Sequence, residues 1–175
     1  TAADQGPDTF IRKQIQHYRV LDPSVDEDGA AFRSTYDGSR VHLTPEEAMR
    51  VEQLLGADVA MVLDECPPWP VSLEEAATSW RRTLGWARRS RAAWAEGSTS
   101  AFAIVQGSVY PELRRRAVEE AAELGFSGYA IGGVSVGEGP EHMESVVAHT
   151  APLLPNHRPR YVMGVGNPED LLMIW

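Results

Sequence analysis

From residue 43 onward, apolar and polar positions alternate between two periods. Thr44-Pro45-Glu46-Glu47 reads as a helix cap, a proline at the first helical position and acids in the first turn. That helix is predicted to end at about Leu55, with Gly56 as its stop. ADVAMVLD (57–64) follows, a short continuous apolar run ending in an acid. Such runs suit a strand buried on both faces, as in a parallel sheet. The unit then recurs. Ser72 caps a helix predicted over 73–95, with Ala76, Ala77, Trp80, Leu84 and Ala87 on its apolar side. AFAIVQ (101–106) is the next strand. Pro111 opens a helix with Leu113, Ala117, Ala121 and Leu124 on one face, ended by Gly125. GYAIGG (128–133) is a third strand, and Pro140 opens a helix carrying Met143, Val146 and Val147. RYVMGVG (160–166) is a fourth, and Asn167-Pro168-Glu169-Asp170 starts a last helix.

Strand-helix alternation of this kind means an α/β protein with a parallel sheet. A doubly wound sheet and a (β/α)8 barrel both fit the periodicity. Residues 1–29 read differently, as an irregular N-terminal segment with turn signals at Asp22-Pro23-Ser24 and Asp26-Glu27-Asp28-Gly29. In AFRSTYDGSRVHL, Asp37-Gly38 stands between two strand-like runs and predicts a hairpin. Residues 30–175 form the main domain on this reading.

Composition narrows the class. The 175 residues suffice for one hydrophobic core. A net charge of -9 argues against a general nucleic-acid binder, so RNA contact would need a local patch. The single cysteine, Cys66, excludes a disulfide framework or a cysteine-rich zinc site within this sequence. No apolar run approaches the roughly 20 residues of a membrane span. TAADQGPDTF lacks the features of a signal peptide. A soluble, cytoplasmic chain with no membrane partner is the expectation.

Chemistry gathers at the predicted strand ends. They read Asp64-Glu65-Cys66-Pro67-Pro68, Gln106-Gly107-Ser108, Gly132-Gly133-Val134-Ser135-Val136-Gly137-Glu138 and Met163-Gly164-Val165-Gly166. Polar and glycine-rich residues at carboxyl ends of parallel strands form the sites of barrels and of open α/β sheets alike. Asp64 can accept hydrogen bonds from a polar ligand, or cap its loop. Gln106 offers donor and acceptor, which suits the edge of a heterocyclic base. Gly132-Gly133 lets a ligand approach the backbone, or makes a tight turn; it matches no phosphate-loop pattern. Glu138 can pair with a ligand amine or favour the next helix N-terminus. Met163 can lie under a flat ring or be plain core. Cys66 has no histidine near it in sequence and reads as a small buried residue. The histidines at 17, 42, 142, 149 and 157 show no metal-ligand spacing. Arg81, Arg82, Arg88, Arg89 and Arg91, and separately Arg114, Arg115 and Arg116, form basic clusters on outer helices. These read as solvated faces, with phosphate contact as the alternative.

Taken together and in order, FRSTYDGSRVHLTPEEAM, LGADVAMVLDECPPWP, RRTLGWARRSR, FAIVQGSVYPELRRRAVE, GFSGYAIGGVSVGEG and TAPLLPNHRPRYVMGVGNPEDLL resemble the bacterial tRNA-guanine transglycosylases, or queuine tRNA-ribosyltransferases. The resemblance covers about residues 30–172. It implies a (β/α)8 barrel with a zinc-binding insertion, and exchange of a wobble-position guanine in tRNA for a 7-deazaguanine, a step of queuosine synthesis. It further implies that Asp64 and Gln106 hydrogen-bond the base. The Gly133 amide and Val134 carbonyl, next to Gly132 and with Glu138 behind, would read its edge. Met163, followed by Gly164, would stack on the ring, and Cys66 would line the pocket.

Two departures stand out. The family's acid/base aspartate lies in a DSGGFQ-type motif, and neither Asp4 nor Asp8 has those neighbours. The family's nucleophilic aspartate and its zinc ligands, three cysteines and a histidine, lie beyond the GVGxPEDLL segment, and this sequence ends MIW. No catalytic residue is assigned, and no cofactor is expected in this chain. The resemblance therefore implies a partial barrel that retains most of the base-recognition pocket and is prone to self-association or instability, with another copy or an intact homologue as its expected partner. The alternatives are a non-catalytic deazaguanine-binding or partner subunit, an inactive fragment, or an unrelated α/β domain. The chain alone is expected to lack transglycosylase activity. Incubation with a substrate tRNA and labelled 7-aminomethyl-7-deazaguanine tests this, and label incorporated by the purified chain overturns it.

Overall fold

The computed structural model describes residues 21–94, 97 and 99–174. They belong to two compact units, which divide between Leu43 and Thr44.

The first unit is a three-stranded antiparallel sheet of β1 (Leu21–Val25), β2 (Ala30–Arg33) and β3 (Arg40–Leu43), in that order. The turn signals at Asp26 and Gly29 hold: the Asp26 carboxylate accepts from the amides of Asp28 at 2.8 Å and Gly29 at 3.1 Å. The Asp37-Gly38 hairpin forms too, with Gly38 at φ +72° and the pairing Phe32↔Val41. Residues 21–25 correct the irregular reading of the N-terminal segment, because they form a strand. Pro23 is tolerated there because β1 is an edge strand whose register shifts between Leu21 and Ser24. Residues 1–20, with Asp4, Asp8 and His17, lie outside the described residues.

The second unit repeats strand and helix. Thr44 caps α1 (Pro45–Leu55), its hydroxyl accepting from the Glu47 amide, and Gly56 closes it at φ +70°. After β4 (Val59–Met61), Ser72 and Glu75 form a reciprocal capping box at the start of α2 (Leu73–Ala93). Then come β5 (Ser100–Val105), α3 (Pro111–Ala122), β6 (Gly128–Ile131), α4 (Pro140–Thr150), β7 (Arg160–Val162) and α5 (Pro168–Met173). The strands pair in parallel in the order β4-β5-β6-β7, with no reversal. No described helix is long and apolar enough to cross a membrane.

The two central strands are buried throughout, apart from the half-buried Ser100. The outer two are not, although the apolar run at 57–64 predicts burial on both faces. Val59 is 42% exposed and Tyr161 is 51% exposed. The physical reason is position: β4 and β7 have a described strand on one side only. Both are also shorter than their apolar runs suggest, since the chain leaves the ladder after Val62 and Met163 to build the strand-end loops.

Side-chain size sets the fit of β5 to β6. Phe102 pairs with Gly128, and Ile104 with Ala130. A Cβ on Gly128 would lie 2.3 Å from the Phe102 ring, which is itself buried. Gly128→Ala is expected to destabilise the chain by about 1–3 kcal/mol through overpacking. Gly85 inside α2 is the opposite case, because nothing lies within 4 Å of an added Cβ. Gly85→Ala is expected to stabilise by about 0.5–1 kcal/mol through helix propensity. Urea midpoints of the two variants should therefore move in opposite directions.

Candidate functional site

The carboxyl ends of the parallel strands converge. The backbone beyond β4 stays against β5, the Val62 amide donating to the Phe102 carbonyl at 3.2 Å, and brings Asp64 beside Gln106. Gln106 follows directly on β5. Its Nε2 donates to Asp64 Oδ2 at 2.5 Å. Gln106 is 1% exposed, and its Oε1 is buried with no hydrogen-bond partner. Burial pushes the Asp64 carboxyl above its ordinary range, and the Gln106 amide pulls the other way.

The two glycines after β6 complete this corner. A Cβ on Gly132 would lie 2.7 Å from Gln106 Nε2, and one on Gly133 would lie 2.5 Å from Gln106 Oε1. Gly133 also holds φ +65°, a left-handed conformation that side chains disfavour. Their glycine character thus makes room for the Gln106 amide. The gap bordered by Pro67, Gln106, Ser108 and Gly133 measures about 10 Å³, about the space of one water. A larger cavity of about 440 Å³ opens between α2 and the loop after β4, lined by Glu65, Pro67, Pro70, Thr78 and Arg82 among others.

Cys66 is exposed, which corrects the expectation of a small buried residue. It lies on the loop beyond β4, outside the sheet. Its thiol nevertheless faces the site. Partial burial and the Asp64 carboxylate push its pKa up, while Gln106, the Gly133 amide and Arg114 act in the opposite sense.

Glu138 is buried, and its carboxylate accepts from the amides of Ser135 and Val136, the latter at 2.8 Å. It therefore closes the Gly133–Gly139 loop on itself. Ser135 is held at φ +62° within that loop. Val134 is buried, and a Cβ on Gly164 would lie 3.4 Å from its carbonyl oxygen and 2.9 Å from Ser135 Cβ. Gly164, at φ +74°, thus brings the end of β7 against the end of β6. Met163 is partly buried against the core, its amide donating to the Ile131 carbonyl at 3.1 Å.

Arg114 is the residue that sequence reading misplaced. Grouped with Arg115 and Arg116 on a solvated face, it is instead 1% exposed. Its Nε donates to the Ser108 carbonyl at 2.8 Å, Nη1 to Val105 at 3.0 Å and Nη2 to Gly133 at 3.3 Å. Burial lowers its pKa to about 10. A signal existed in the sequence: 114, 117, 118 and 121 share a helix face, and Ala117, Val118 and Ala121 are buried on it. Its neighbours behave as a solvated face should. Arg115 pairs with Glu112 and Glu119, and Arg116 with Glu120 at 3.7 Å. On α2, Arg82 pairs with Glu65 at 2.5 Å and Arg89 with Glu46 at 2.7 Å, so those two serve local ion pairs.

Among the described residues no group of three His, Cys, Asp or Glu side chains could hold a metal ion. The described side chains do not offer the three-cysteine, one-histidine ligand set of the zinc that the resemblance implies.

The partly buried Asp64 carboxyl has a consequence for stability. Its folded pKa is raised, so wild-type stability falls as pH rises from the unfolded value of about 3.9 through the folded one. Asp64→Asn removes that penalty. The variant is expected to show a higher urea midpoint than wild type at neutral pH and no gain near pH 3.5. An equal gain at both pH values would place its cause elsewhere.

Most of the chain is similar to known proteins. The sequence profile of the family described as Queuine tRNA-ribosyltransferase matches residues 7–175. Proteins named Queuine tRNA-ribosyltransferase from Thioalkalivibrio sulfidiphilus and Halothermothrix orenii are 48% and 49% identical over 148 residues, covering 85% of this chain and 40% of each relative. One from Dechloromonas aromatica is 48% identical over 150 residues, covering 85% and 41%. The chain thus spans about 40% of the length of these curated relatives. Identity at this level across most of the chain settles its descent: it belongs to the queuine tRNA-ribosyltransferase family.

Proposed function

We propose that the chain is part of a (β/α)8 barrel of a tRNA-guanine transglycosylase, and that its strand ends hold the exchanging base. Two observations support the barrel. The strand order is sequential, and right-handed crossovers in that order lay α2, α3 and α4 on one face of the sheet. The contacts of α2 with α3 and of α3 with α4 agree. A barrel continues the sheet beyond both outer strands, which accounts for the exposed flanks of β4 and β7.

The Asp64–Gln106 pair carries the functional reading. A partly buried carboxylate held by an amide, with that amide's own acceptor left without a partner, is costly unless a ligand uses it. The ring N–H and exocyclic amine of a guanine-like base are donors suited to these acceptors. The Gly133 amide and Val134 carbonyl supply a further donor and acceptor, and Met163 an apolar surface at the same end. Cys66 borders the site beside Asp64. Glu138 shapes the backbone behind Gly133 rather than meeting the ligand.

The tRNA and a 7-deazaguanine are the proposed substrates, with the target guanine taken out of the stack. Base exchange with retention suits a double displacement. A carboxylate bonds to the anomeric carbon as the bond to guanine breaks, and a second group passes a proton to the departing base. The incoming base then gives up its ring proton and displaces the carboxylate. The residues described here serve recognition in that scheme.

Calorimetry with 7-aminomethyl-7-deazaguanine tests the pocket. Wild type is expected to bind, and Asp64→Ala and Gln106→Ala to weaken binding about 10–100-fold, as for loss of a hydrogen bond to a charged or buried group. A folded wild-type chain that releases no heat defeats the reading.

A further inference from the structure

Arg114 sits in an arrangement that packing alone does not explain. Among the described residues no carboxylate lies within ion-pair distance of it, and its three hydrogen bonds all go to main-chain carbonyls. A buried cation without a paired anion costs several kcal/mol relative to a well-packed apolar side chain. Methionine would fill the same volume. What methionine lacks is the fork.

Each carbonyl that the fork grips belongs to a different part of the strand-end site. Val105 is the last residue of β5 and precedes Gln106; its carbonyl also accepts from the Gly132 amide at 3.0 Å. Ser108, at φ +50°, is in the loop after β5. Gly133 is the residue whose backbone faces Gln106 Oε1. The loop is shaped to admit the side chain: a Cβ on Gly107 would lie 3.1–3.3 Å from Arg114 backbone and Cδ atoms, and one on Gly133 would lie 3.1 Å from Nη2. One guanidinium therefore fixes the spacing between the ends of β5 and β6.

We propose that Arg114 is the positioning residue of the strand-end site, its fork holding Gly133 and the Gln106 strand end in place and its charge favouring an electron-rich ring. The inference rests on the base-binding reading above and deepens it. A purine that leaves with the bonding pair gathers negative charge, and a fixed cation in a partly desolvated site stabilises that charge at no reorganisation cost. The groups that face Arg114 electrostatically are Cys66, from the loop after β4, and Glu138, from the loop after β6. Those that face Cys66 are Asp64 and Arg114.

Cys66 is the sole cysteine, so its alkylation by iodoacetamide reports the local charge cleanly. Removing the Arg114 charge leaves Asp64 unopposed, so Arg114→Met is expected to shift the alkylation midpoint to higher pH. Arg114→Lys keeps the charge but not the fork. It is expected to keep the wild-type midpoint, to speed amide exchange at residues 133–136 selectively, and to weaken 7-aminomethyl-7-deazaguanine about tenfold. Wild-type base affinity and exchange in a folded Arg114→Lys chain overturn the proposal. So does exchange that rises evenly across the sheet, which marks a general packing role. If Arg114→Met does not fold, the lysine variant decides alone. If wild type binds no base, the base-binding reading falls, while the thiol and exchange measurements still decide whether Arg114 positions this site.

Discussion

Phe102, Ile104 and Gln106 lie against Gly128, Ala130 and Gly132, and this pairing of large side chains with small ones holds β5 and β6 in one register. The site depends on it. A slip of one residue would send alternate side chains to the other face of the sheet. It would also set Phe102 against Tyr129 or Ser127 in place of Gly128. With the register held, Gln106 arrives beside Gly132 and Gly133, close enough that neither glycine has room for a Cβ. Asp64 then meets the Gln106 amide from the neighbouring strand end.

The polar groups gathered there would be costly individually. Asp64 is held by Gln106, Glu138 by two amides of its own loop, and Arg114 by three carbonyls. None of these is an ion pair. The charges are satisfied instead by amides and backbone dipoles, which fix direction as well as energy. Hydrogen bonds of defined geometry are what the proposed recognition of a flat heterocycle requires. Cys66 and Gly164 remain exposed beside the site.

Much of this was readable before the fold was known. The caps at Thr44 and Ser72, the prolines opening helices and the apolar runs of β5 and β6 are local signals, set by hydrogen bonding and periodicity within a few residues. The strand-end candidates were readable for a related reason, since a parallel strand delivers whatever follows it to the same end of the sheet. Pro23 misled, because its missing amide proton matters only in a strand that needs it. Cys66 misled, because a loop residue's exposure depends on what else covers the loop.

From residue 30 onward the sequence by itself determined the order of the main strands and helices, the α/β class and which residues stand at the strand ends. Each follows from patterns within a window of about one element. The tertiary structure alone decided which of those residues touch and what their glycines are for. It took Arg114 from a basic run and buried it, and turned Glu138 onto its own loop. A run of three arginines looks uniform along the chain. On a helix, successive residues point about 100° apart, and only packing against the sheet chooses which one faces inward.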